Sequence, residues 1–131
     1  FKIFKAPVPF LQQASRATIV NIGSVSGLMP MAGTSGYSAS KAAVHMFTKT
    51  LALELGPNIR ANTICPGTIR TEMTRYLWEN PEHLARASAR AALKRIGDPE
   101  EVARAALFLS CDDSAFTTGA ELTVDGGFSF R

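Results

Sequence analysis

The chain has 131 residues, 46% hydrophobic and 19% charged, a length and balance that fit one small globular domain and not a disordered segment. It holds no run of about 18 apolar residues, so no membrane span is expected. The formal net charge is +3 with lysine and arginine scattered, which gives no basic patch suited to nucleic acid.

In chain order, Phe1, Phe4, Lys5 and Val8 have helical spacing, and Pro7 and Pro9 predict that this helix ends there. The same prolines interrupt any apolar core of a signal peptide, so a cytoplasmic location is expected. The run Thr18-Ile19-Val20-Asn21-Ile22 reads as a buried strand, and the small residues and proline after it suit a loop. Residues 37–55 read as one long helix with Val44, Phe47, Leu51 and Leu55 on its apolar stripe. Gly56 and Pro57 predict its stop, with the glycine as a left-handed cap. Residues 59–65 follow as a second strand, with Ile59, Ala61, Thr63 and Cys65 on one face and Arg60 near the rim. Strand, loop, helix and strand make a βαβ unit, which implies parallel strands and a right-handed crossover.

At the end of the second strand stands Cys65-Pro66-Gly67-Thr68-Ile69-Arg70-Thr71, where Pro66-Gly67 lets a backbone turn approach a flat ligand. The Ile69 amide and the Thr71 hydroxyl are placed to meet a carboxamide, although Pro-Gly alone is an ordinary strand-to-helix turn. Residues 76–96 are helix-prone, and their arginines read as a solvated face before they read as a substrate site. Asp98-Pro99-Glu100-Glu101 is a strong helix start: Asp98 caps, Pro99 fits the first position and Glu101 closes a capping box. Val102, Ala105, Ala106 and Leu109 give that helix a buried face. Residues 118–127 give a turn, a third strand and a glycine stop.

Chemistry concentrates between Asn21 and Lys41. Ser24 falls where the first strand ends, and Tyr37 and Lys41 share a helix face four residues apart. A phenol ordinarily titrates near ~10, too high for acid–base work at neutral pH, and an ammonium one turn away favours the phenolate. A serine beside them holds a carbonyl or hydroxyl oxygen against the phenol, so the three together point to proton transfer at oxygen. A tyrosine and a lysine at this spacing are, on their own, most often a solvated pair; the strand-end serine and the glycine loop set this one apart. Cys65 and Cys111 have no metal-ligand spacing and read as buried reduced thiols. His45 and His83 are isolated and read as satisfied or exposed side chains, not as metal ligands.

Tyr37-Ser38-Ala39-Ser40-Lys41, with Ile19-Val20-Asn21-Ile22-Gly23-Ser24 before it, resembles the active-site segment of the short-chain dehydrogenase/reductase family. The thirteen-residue separation of Ser24 and Tyr37 matches that family's pattern. Pro66-Gly67-x-x-x-Thr71 resembles its nicotinamide-side loop, and Thr118-Gly119 with Asp125-Gly126-Gly127 its closing segment, so the resemblance covers nearly the whole chain. It implies a Rossmann-like, doubly wound parallel α/β sheet of which residues 1–131 supply the last three strands. It further implies an NAD- or NADP-dependent oxidoreductase that transfers a hydride between nicotinamide and a secondary alcohol or ketone. In that reading Tyr37 is the acid/base, Lys41 favours its phenolate and bonds the nicotinamide ribose, and Ser24 holds the substrate oxygen. Pro66, Gly67, Ile69 and Thr71 frame the nicotinamide, residues 76–96 cover the substrate, and long helices pair between subunits of a homo-oligomer.

Other features of the family are not in these residues. No Gly-x-x-x-Gly-x-Gly follows any strand, and the residue that selects NAD or NADP and the usual asparagine of the active site are expected upstream of Phe1. The chain is therefore expected to be the C-terminal half of such a domain, with an open edge at its first strand that invites association. Two rival readings remain. Ser38-Ala39-Ser40-Lys41 satisfies the Ser-x-x-Lys of penicillin-binding enzymes, but their Ser-Asp-Asn and Lys-Thr-Gly partners do not occur. A non-catalytic binding or structural member of the same fold, or an inert fragment of the enzyme, stands as the alternative.

Overall fold

A computed structural model describes residues 6–130. Three strands, β1 (Ala17–Ile22), β2 (Ile59–Pro66) and β3 (Glu121–Val124), form one sheet in the order β1-β2-β3. Both pairings are parallel, with Ala17 opposite Ile59 and Thr63 opposite Glu121 at the starts of the two ladders. β2 is the central strand, and its residues Ala61 to Cys65 are buried on both faces, as a parallel sheet covered by helices requires.

Among the described residues five α-helical segments accompany the sheet: α1 (Val8–Leu11), α2 (Ser35–Leu55), α3 (Arg75–Trp78), α4 (Pro81–Arg90) and α5 (Pro99–Ser110). Alternation along the strands separates the two long ones. Ile19 and Ala61 face α2, where Phe47, Leu51, Ala52 and Leu55 complete the apolar cluster. Thr18 and Arg60, one residue out of phase, face α5, where both donate to the Leu109 carbonyl. Helices on both faces of a parallel sheet make this the doubly wound α/β architecture.

The helix over the site is single and unbroken, as the apolar spacing predicts, and starts two residues earlier than expected. Its end differs in detail. Gly56 is extended (φ −64°, ψ 154°), so Pro57 stops the helix by its missing donor and no left-handed cap forms. The expected stop at Pro7–Pro9 is also corrected: Val8–Leu11 is helical, because Pro7 and Pro9 both sit within the first turn, where no donor is needed. The expected helix over Phe1 to Lys5 lies outside the described residues. Within the helix-prone residues 76–96, Asn80 accepts the amides of Glu82 and His83 and restarts the chain as α4, which ends at Arg90. At α5 the expected cap is present, with the Glu101 carboxylate accepting the Asp98 amide at 2.9 Å. The Arg95 guanidinium grips the same carboxylate through two hydrogen bonds, and together these donors hold it down at about 2.

Arg60 fastens the last third of the chain. Its guanidinium donates to the carbonyls of Leu109, Cys111 and Thr117 at 3.1, 3.1 and 3.2 Å, so one charge satisfies three backbone acceptors. Arg60→Leu keeps the bulk of the stem and removes the charged donor, while Thr18, Asn62 and Ser114 still donate to the Leu109, Thr117 and Cys111 carbonyls. A hydrogen bond to a charged group contributes about 1.5–3 kcal/mol, and less where a second donor stays on the same acceptor. A clear drop in the denaturant midpoint of the full-length protein is expected, with no change in the shape of the active site.

Candidate active site

Because the strands are parallel, their carboxyl ends share one edge of the sheet, and the segments that leave them meet there. β1 runs into Gly23-Ser24, β2 into Pro66-Gly67, and β3 into Asp125. α2 crosses the same edge with Tyr37 in its first turn.

Ser24 is extended and begins a short 3₁₀ turn over Val25–Gly27. Its Oγ accepts the Ser26 amide at 3.1 Å and its carbonyl accepts the Gly27 amide at 2.9 Å. One of its lone pairs is thereby filled, and the hydroxyl proton is left to donate. The residue is buried, 7% exposed. Lys41 reaches back from α2 and donates from Nζ to the Ile22 carbonyl at 3.0 Å, two residues before Ser24. The same ammonium lies 5.7 Å from the centre of the Tyr37 ring. Tyr37 itself is 42% exposed, with its ring at the open side of the helix. Strand end, helix turn and lysine thus bring the three sequence-predicted residues to one corner of the fold.

The second group forms the adjacent wall. Gly67 donates its amide to the Val124 carbonyl at 3.0 Å. A Cβ on Gly67 would stand 2.7 Å from Asp125 Cβ and 2.8 Å from Asp125 Cα, so only glycine lets these two loops touch. Asp125 is fixed in turn. Burial opposes its ionisation, but the Ser129 hydroxyl and the amides of Ser129, Gly127 and Phe128 outweigh burial and hold its carboxyl below the usual range. The Ile69 side chain is buried and the segment around it pairs with Gly97, through Arg70 N–H to the Gly97 carbonyl and Gly97 N–H to the Thr68 carbonyl. Among the described residues no acceptor meets the Ile69 amide itself. Thr71 is exposed, and its carbonyl receives Thr74 N–H and Trp78 Nε1–H, each at 3.1 Å. The backbone of this loop is therefore held, and the Thr71 hydroxyl turns back on the 3₁₀ turn, 3.4 Å from the Thr74 hydroxyl.

Sequence reasoning missed His45. It is 3% exposed, and its Nε2 accepts the Ser24 amide at 3.2 Å. A signal was present: Tyr37, Lys41, His45 and Lys49 recur every fourth residue and so follow one stripe of α2. Cys65 is fully buried with its thiol raised to about 11, chiefly by burial, while Cys111 is only partly buried, and neither is in a disulfide. Among the described residues no group of His, Cys, Asp or Glu is arranged to hold a metal ion, and no helix is long and apolar enough to cross a membrane.

A family profile described as enoyl-(acyl carrier protein) reductase matches residues 1–129. Cyclopentanol dehydrogenase of Comamonas testosteroni is 40% identical over 126 residues, which are 95% of this chain and 50% of that protein. Among solved structures, gluconate 5-dehydrogenase of Burkholderia cenocepacia, in complex with NADP and tartrate, superposes with a TM-score of 0.92 at 30% identity, covering 98% of this chain and 51% of that one. A 3-oxoacyl-[acyl-carrier protein] reductase of Brucella melitensis with bound NAD superposes with a TM-score of 0.87 at 38% identity, over 100% of this chain and 48% of that one. The chain spans about half the length of the relatives it matches. Its parallel sheet and these matches agree: the chain belongs to the short-chain dehydrogenase/reductase family.

Proposed function

We propose that the full-length protein is an NAD- or NADP-dependent oxidoreductase acting on a secondary alcohol or ketone, with Tyr37 as the acid/base. The observation that carries this reading is the corner itself: Lys41 placed between the Tyr37 ring and the strand that ends at Ser24. Relatives named as dehydrogenases and reductases support the reaction class, and relatives holding NADP and NAD support the cofactor.

The residues present suit a nicotinamide. Gly67 keeps its loop free of a side chain where the loop meets Asp125, and the Ile69 amide is a free donor beside it. Pro66, Gly67, Ile69 and Thr71 would frame the ring, and Lys41 the attached ribose. When bound, the nicotinamide supplies or accepts the hydride. The protein's own task is the proton. In the oxidative direction Tyr37 takes the proton from the substrate hydroxyl, and in the reductive direction it returns it. The Lys41 ammonium stabilises the charge on the phenolate oxygen during this transfer. Ser24, one of its lone pairs filled by the Ser26 amide, donates to the substrate oxygen and fixes it near the phenol. In the family, long helices pair between subunits, so a homo-oligomer is part of the proposal.

The test is nicotinamide absorbance with a panel of ketones, secondary alcohols and an enoyl thioester, run on the full-length protein with both cofactors. Turnover of a ketone or alcohol is expected. Turnover of the enoyl thioester alone would move the chemistry to a carbon–carbon double bond. A protein that binds cofactor yet turns over nothing would point to a binding member of the fold.

A further inference from the structure

His45 stands one turn beyond Lys41 on α2, buried behind the Ser24 turn. The turn is moulded around its ring. A Cβ on Gly23 would lie 2.2 Å from His45 Nε2, and a Cβ on Gly27 would lie 2.7 Å from His45 Cε1. Real side-chain carbons do not approach so closely, so both glycines that flank Gly23-Ser24-Val25-Ser26-Gly27 leave room for this imidazole. In the gap the Ser24 amide donates to Nε2 at 3.2 Å, and the Cys65 sulfur lies 3.6 Å from the same nitrogen. On the far side Nδ1 is 3.4 Å from Glu121 Oε1 on β3, within charge contact but not aligned as a hydrogen bond. Glu121 Oε2 is held by Lys49 Nζ at 3.0 Å.

We propose that His45 is a positioning residue for the reaction: a neutral imidazole, protonated on Nδ1, whose Nε2 holds the Ser24 amide and so aims the Ser24 hydroxyl at the substrate oxygen. This rests on the reading of Ser24 as the residue that holds that oxygen. The tautomer follows from the partners. A nitrogen that accepts a backbone N–H carries no proton, and in a neutral ring the proton then sits on the other nitrogen, which faces a carboxylate. A doubly protonated ring would set two donors against each other at Ser24.

The surroundings favour the neutral ring. Burial lowers the His45 pKa from its ordinary 6.5, Glu121 raises it in part, and Lys49 and Lys41 lower it again. Cys65, facing the ring from β2, stays a neutral thiol because burial raises it to about 11. Since the folded chain takes up this proton less readily than the unfolded chain, the linked stability is complete above 6.5. It declines as pH falls from there toward the folded-state value. Protonation of His45 removes the acceptor for Ser24, so kcat falls over the same side of the pH scale.

The experiment uses the full-length enzyme. In the wild type, nitrogen NMR of the His45 ring at neutral pH is expected to show a protonated Nδ1 and a bare Nε2. His45→Leu fills the space without an acceptor, and is expected to lower kcat about tenfold, equivalent to ~1.4 kcal/mol, with the cofactor KM unchanged. His45→Gln carries an amide oxygen where Nε2 lies, and is expected to restore kcat and to flatten both the acid-side loss of kcat and the acid-side loss of stability. A proton on Nε2 in the wild type overturns the proposal without any variant having to fold. So does a His45→Gln enzyme as slow as His45→Leu. Ser24→Ala tests the underlying reading separately: wild-type kcat in that variant removes the role of the serine, whatever tautomer His45 adopts.

Discussion

Tyr37→Phe in the full-length enzyme is expected to lower kcat by about 10²–10⁴-fold, the range that a positioned acid or base contributes. Cofactor affinity should stay near that of the wild type. The substitution removes one oxygen from a residue already 42% exposed, so neither the ring's packing nor the helix is disturbed. The ring also stays beside the Lys41 ammonium, 5.7 Å from its centre. What is lost is the group that exchanges a proton with the substrate oxygen. Steady-state kinetics paired with nicotinamide fluorescence titration separates the two quantities. Near-normal turnover in Tyr37→Phe would assign the proton transfer to another residue.

Lys41→Met is the second large effect, and it divides two roles of one side chain. Methionine keeps an unbranched stem and loses both the charge and the hydrogen bond to the Ile22 carbonyl. If the charge serves the phenolate, the rate of alcohol oxidation at saturating cofactor falls at neutral pH and recovers as pH rises, because hydroxide then does what the ammonium did. If the amine serves the cofactor ribose, cofactor affinity falls and raising the pH restores nothing. Both effects are expected, with a loss of kcat/KM on the order of 10²-fold or more at neutral pH, a value within the range for acid–base assistance. A pH–rate profile and a cofactor affinity both unchanged would remove Lys41 from the site.

Much of this was legible in the sequence because it depends on local periodicity and local caps. α2 follows from the apolar spacing of Phe47, Leu51 and Leu55, and α5 from Asp98, Pro99 and Glu101, none of which needs a distant partner. The parallel ladders follow from the βαβ order. The placement of Ser24 near Lys41 follows from a strand end and a helix start that the intervening loop returns to the same edge. What escaped is set by contacts between distant parts of the chain. His45 looks isolated in the sequence, since Gly23, Cys65 and Glu121, which surround it, come from three different strands or their ends. Gly56 fits a left-handed cap by residue type, yet the chain leaves the helix extended to enter β2. The break at Asn80 within residues 76–96 is local, an asparagine cap followed by a first-turn proline, set in a stretch whose composition is helix-prone on both sides of it.

The Asn62 side chain gives the last part of the chain an unusual mode of attachment. Fully buried on β2, it donates to the Thr117 carbonyl at 2.9 Å and accepts the Ala120 amide at 3.0 Å, so it acts as an extra peptide unit ahead of β3. Ala61 N–H is capped by the Thr118 hydroxyl, and Thr63 N–H by the Ala120 carbonyl. Peeling β3 away leaves all of these groups without partners at once, so the segment opens as a cooperative unit and does not fray. The same opening removes Glu121 from His45 and Asp125 from Gly67. Amide hydrogen exchange at Thr63 and Ala120 therefore reports the integrity of both walls of the site. A cofactor that binds only the closed form should slow exchange at these two amides by the factor 1 + [L]/Kd, although neither amide touches it.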